Sequence, residues 1–173
     1  MTTPDNPELI RGLAALDAGR YADAYVILRP LANAGNLTAQ ARLGGIVSLG
    51  MHRFSDWDAY QAWPDSASPD QIADYLSRYA QEDRELAAAW LQSASDGGDA
   101  YASHCLAMLF VTGVSEEGWE VRRKKVLELV AKAQSQGFDC VDYGDPPGEA
   151  YLQFLERDAA LHKRYAARHP DEA

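Results

Sequence analysis

The chain has 173 residues, 47% hydrophobic and 24% charged, with 26 acidic against 16 basic side chains and a formal charge of −10. This balance suits a globular chain with a core and excludes wholesale disorder, while the acidic excess argues against nucleic acid or an anionic membrane as partner. Two cysteines make no disulfide framework, the first residues lack a signal-peptide pattern, and no stretch nears the roughly 18 apolar residues of a membrane span, so a cytoplasmic location is expected.

Apolar residues recur at helical spacing and no alternating β-branched run occurs, which predicts an all-helical chain. Asn6 is placed to cap a first helix over residues 7–18, with Pro7 at its first position and Leu9, Leu13 and Leu16 on one face. Gly19-Arg20 turns into a second helix over 21–34, with Ala24, Leu28 and Leu31 inward and Pro30 removing one hydrogen bond. A third helix is expected over 38–49, stopping at Gly50. The segment 52–81, HRFSDWDAYQAWPDSASPDQIADYLSRYAQ, is aromatic and acidic. Ser55 can cap a short helix through Trp63, and Ser68-Pro69-Asp70-Gln71 has the spacing of a capping box. Ile72, Tyr75, Leu76 and Tyr79 then lead towards Leu86, Trp90 and Leu91, so the segment is expected to lengthen the helix that follows.

Shifted by 63 positions, the sequence matches itself. Ala24 falls on Ala87, Leu28 on Leu91, Gly35 on Gly98, Ala39 on Ala102, Leu43 on Leu106 and Gly50 on Gly113. A further shift of 39 carries Leu91 onto Val130, Ala94 onto Ala133 and Gly98 onto Gly137. Small residues and leucines at such spacing serve close helix packing, and glycines serve sharp turns. The third copy departs after Gly137, as a terminal cap does, and its second helix is expected at about 149–168.

With Trp90, Ala94, Gly98, Ala102, Leu106 and Gly113 at the characteristic positions, residues 24–50 and 87–113 resemble Sel1-like repeats, relatives of the tetratricopeptide repeat. Gly12 through Gly19, with Tyr21, Ala24 and Leu28, resembles a tetratricopeptide helix pair. Ala107 departs from the pattern, standing where the second helix usually has glycine. The resemblance implies an all-α fold: a short right-handed solenoid of antiparallel helix pairs in one domain, 1–173. The pairs fall at about 7–50, 84–113 and 119–168, with a helical insertion at about 52–81 and a C-terminal capping helix. It also implies non-enzymatic adaptor or scaffold work, in bacterial secretion, signalling or toxin neutralisation.

Charge is unevenly divided. Residues 1–50 carry four basic and four acidic groups, 51–113 carry three and ten, and 114–173 carry nine and twelve. The middle third also holds Trp57, Tyr60, Trp63, Tyr75 and Tyr79. Aromatics among carboxylates suit a basic protein partner, the rings as anchors and the charge as steering. Asp56, Trp57, Asp58, Tyr60, Trp63, Asp65, Asp70 and Asp74 are therefore the candidate protein-binding residues. The competing reading has the rings covering the hydrophobic edge of the array while the acids solvate its outer face.

No catalytic, cofactor or metal site is expected. His52, His104, His162 and His169 lack zinc spacing, and Cys105 reads as a core residue with Cys140 in a loop. The carboxylates Asp139, Asp142, Asp145 and Glu149 lack the pattern of a calcium loop. The run Arg122-Arg123-Lys124-Lys125 spans all helix faces and reads as a solvated edge whose lysine stems cover apolar surface. The expected role is an immunity or regulatory protein neutralising a basic effector or toxin. A general adaptor, a self-associating module whose apolar edge pairs with itself, and an enzyme using His104 and the Cys140 loop are the alternatives.

Overall fold

The computed structural model describes residues 6–78, 80–111 and 118–138. Among these the chain is helical with no strand. It runs α1 (Pro7–Asp17), α2 (Tyr21–Asn33), α3 (Leu37–Ser48), a 3₁₀ turn (Met51–Arg53), α4 (Trp57–Ser66), α5 (Pro69–Arg78), α6 (Ala80–Asp96), α7 (Ala100–Val111) and α8 (Trp119–Ser135). No helix among the described residues is long and apolar enough to cross a membrane. Gly113, Cys140, the carboxylate loop from Asp139, His162, His169 and the expected helix at about 149–168 lie outside the described residues. So does Tyr79, across which α5 was expected to run into α6.

Local chemistry sets the helix ends. Asn6 accepts hydrogen bonds from the backbone N–H groups of Glu8 and Leu9 ahead of Pro7, as expected. The third helix begins one residue earlier than its apolar pattern suggested, because Asn36 caps it through the Ala39 N–H. Asp99, 63 positions on, caps α7 in the same way through the Ala102 N–H. Ser55 does not cap α4. Asp56 does, accepting from the Ala59 N–H at 2.9 Å, and Ser55 Oγ donates to that carboxylate. The capping box of α5 forms in both directions: Gln71 N–H donates to Ser68 Oγ, and Ser68 N–H donates to Gln71 Oε1.

Four helices end alike. At the ends of α1, α2, α6 and α8 the amide two places past the cap reaches back five residues: Arg20 to Ala15, Asn36 to Leu31, Asp99 to Ala94 and Phe138 to Ala133. Gly19, Gly35, Gly98 and Gly137 sit at the hinge with φ of +70°, +84°, +93° and +87°, a conformation that penalises any Cβ.

Packing follows the chain: α1 on α2, α2 on α3, α3 on α6, α6 on α7 and α7 on α8, with α5 against α6. Several described positions matched by the 63-residue shift are buried alike. Ala24 and Ala87, Leu28 and Leu91, Ala39 and Ala102, Leu43 and Leu106 are all buried, as are Val130 and Ala133 in the further copy. The polar interior repeats too: Gln40 Nε2 donates to the Ala32 carbonyl at 2.9 Å, and Ser103, its counterpart, bonds Ser95, the counterpart of Ala32, at 2.8 Å.

One spatial relation unites the layers. The leucine of α2, Leu28, lies where a Cβ on Gly12 of α1 would stand, and its counterpart Leu91 of α6 lies where a Cβ on Gly44 of α3 would stand. At the next layer the counterpart of Gly44 is Ala107, and the counterpart of Leu91 is the smaller Val130, both in one apolar cluster. Ala107 carries a methyl more than Gly44 and Val130 a methylene less than Leu91, an exchange that conserves side-chain volume. Phe110 and Leu129 pack against both this cluster and the larger one formed by α1, α2, α3, α6 and α7.

Candidate protein-binding surface

Helical periodicity divides α4 into two faces. Tyr60 and Trp63, three apart, share one; Asp58 and Asp65, seven apart, share another. The aromatic face turns inward. Phe54, in the extended stretch before α4, meets Tyr60 edge-on at 5.5 Å between ring centroids and Trp63 at 5.8 Å. Trp63 in turn meets Tyr75 of α5 edge-on at 5.4 Å. Trp57 reaches Tyr60 at 5.6 Å but remains 46% exposed. Phe54, Tyr60, Trp63 and Tyr75 are half-buried, and with Leu49 and Gln61 they line an open groove of about 390 Å³.

The carboxylates take separate stations. Asp56 is spent on the cap, and the Ala59 N–H, then the Ser55 hydroxyl, hold its carboxyl below the usual range. Asp58 and Asp70 lie exposed in the first turns of α4 and α5, where the helix dipole favours negative charge. Asp65 and Asp74 are exposed further along. Of the eight candidates, then, Tyr60 and Trp63 are brought together on the groove, Trp57 stands at its margin, and the five aspartates lie on α4, α5 and the α4 cap.

The segment is pinned by residues the sequence reading passed over. Arg53 donates to both oxygens of Asp83 in α6, Nε to Oδ2 at 2.8 Å and Nη2 to Oδ1 at 2.7 Å. His52 places Nε2 3.6 Å from the same carboxylate and packs its ring on Tyr25 of α2, centroids 4.6 Å apart. Burial holds the His52 pKa below its ordinary value, partly opposed by Asp83 and reinforced by Arg53 and Arg29. Burial, and then the Asp83 charge, raises that of Tyr75. The sequence carries no local signal for this cluster, since its two arms lie on separate elements. Leu49 was missed because it lies before the segment, and Phe54 because it precedes α4 within it.

Burial pushes the Cys105 thiol up to about 11, which disfavours the thiolate that nucleophilic work requires. Lys132 Nζ donates to Ser95 Oγ at 3.0 Å, and Ser95 bonds Ser103; both serines are fully buried, so the trio bridges α6, α7 and α8. The basic run is not wholly solvated: Arg122 is buried, against expectation, while Lys125 lies over the Phe110 ring at 5.0 Å. No cluster of His, Cys, Asp or Glu suited to a metal occurs among the described residues. No known protein family, curated protein or solved structure matches this chain.

Proposed function

We propose that the chain is a non-enzymatic protein-binding module, built as a right-handed Sel1-like solenoid of helix pairs, whose α4–α5 segment engages a basic protein partner. The observation that carries this reading is an aromatic groove on a segment that is otherwise acidic: residues 54–77 contain Asp56, Asp58, Asp65, Asp70 and Asp74 and no lysine or arginine. Rings in a partly desolvated groove supply anchoring energy, and the surrounding charge raises the encounter rate with a cation-rich surface. An immunity or regulatory protein that covers a basic effector is the role these features suit within that class.

Selection of a displayed random-peptide library on the purified chain tests this. Enriched peptides should carry Lys or Arg beside apolar residues. Reversing Asp58, Asp65 and Asp70 to lysine should slow their association, and less so as salt is raised. Trp57→Ala and Trp63→Ala should speed dissociation. Enrichment of acidic peptides, or binding indifferent to all these substitutions, would overturn the reading.

A further inference from the structure

The groove on α4–α5 has a composition that goes beyond a general apolar anchor. Four of its six lining residues are aromatic, and a ring face carries negative potential that an aliphatic wall lacks. The rings do not close on one another as a parallel stack. Phe54 and Tyr60 are inclined at 73°, Phe54 and Trp63 at 60°, and Trp63 and Tyr75 at 68°, so none of these pairs covers a ring face with a parallel neighbour. Arg53, beside the groove in sequence, has its charge committed to the two-bonded pair with Asp83. Negative ring faces and the five carboxylates carried by residues 54–77 favour a positive occupant, against the opposing charges of Arg53 and Arg84 that bear on Tyr75.

We propose that this groove receives an alkylammonium side chain, lysine or methylated lysine, of the basic partner, an inference that rests on reading α4–α5 as the docking surface. An ammonium or methylated ammonium head lies against the ring faces while its apolar stem runs past Leu49, which is 58% exposed. Cation–π attraction of this kind separates a cation from a neutral group of the same shape.

Choline chloride and its uncharged isostere, with carbon in place of nitrogen, make the comparison on the full chain at matched ionic strength. Saturation transfer from protein to the probe methyl protons reads occupancy. Choline should bind about ten-fold more tightly than the isostere. Tyr60→Leu keeps an apolar wall and removes a ring, so it should reduce that preference while leaving the isostere's binding in place; circular dichroism checks that the helices persist. A lysine-bearing peptide selected on the chain should displace choline, and its trimethylated form should displace it at lower concentration. Equal binding of choline and isostere would overturn the proposal. So would peptides that bind α4–α5 without displacing choline, a result that leaves the docking surface standing. Choline binding with no basic peptide ever selected would instead overturn the docking surface, and with it the partner's lysine as the occupant.

Discussion

Arg53 and Asp83 lie thirty positions apart and close a two-bonded fork across the base of the α4–α5 segment. Asp83 is buried on α6, and Arg53, 30% exposed at its side chain, leaves the 3₁₀ turn that follows α3. The pair therefore fixes where the segment leaves the helical array and where it rejoins it.

Breaking that fork should loosen the segment before the array. Asp83→Ala should cost about 1–3 kcal/mol, the range for stranding a partly buried charged partner, with solvent at Arg53 moderating the loss. Arg53→Ala should cost more, because it strands the buried Asp83 carboxylate, and the double variant should cost less than the sum of the two losses. Urea unfolding of the three variants measures this. Additive losses would mean that the two side chains act independently.

Gly44 and Leu91 should respond to exchange as a pair. Gly44→Ala places a methyl group on Leu91 and should cost about 1–3 kcal/mol, more than the helix propensity gained. Adding Leu91→Val recreates the Ala107 and Val130 combination of the next layer and should recover most of the loss. A thermal melt of the single and double variants decides it. No recovery would mean that the layers are not equivalent.

Acid should weaken the fold through its histidines. Burial lowers the pKa of both His52 and His104 from 6.5. The unfolded chain therefore takes up these protons first as pH falls. Stability should be full above about pH 6.5 and decline from there down through the folded-state values. His52→Phe keeps a ring for Tyr25 and removes one titrating group, so the decline from pH 8 to pH 5 in urea midpoint should flatten. An unchanged slope would assign the pH dependence to other groups.

Asp56 and Asp58 are two residues apart and should behave differently. Asp56→Ala removes the cap of α4 and should reduce its helicity, whereas Asp58→Ala should leave the helix intact. The Asp56 carboxyl is held below its usual pKa, so its capping contribution should be present at neutral pH and fade as pH falls through that lowered value. Asp56→Asn keeps an acceptor without a charge and should remove the pH dependence. Hydrogen exchange at the Ala59 amide reads all three variants.

Much of the fold could be read because its determinants are local. Asn6 before Pro7, Ser68 three residues before Gln71, and the glycines at 19, 35, 98 and 137 act within one turn of chain, so their spacing alone states their role. The matches of Leu28 with Leu91 and Leu43 with Leu106 are equally legible, and all four side chains are buried. The α4 cap was misplaced by one residue because serine and aspartate, side by side, are both good caps.

By itself, then, the sequence determined the helices and most of their ends, each a consequence of interactions spanning a few residues. It also determined that α4 carries aromatics on one face and acids on another, because helical periodicity is a property of the chain. Only the tertiary structure decided that Tyr60 and Trp63 meet Phe54 and Tyr75 around one groove, that Arg53 binds Asp83, and that Gly12 and Gly44 make room for Leu28 and Leu91. Each of these joins residues on different elements, and their meeting depends on how whole helices pack, which no local spacing encodes.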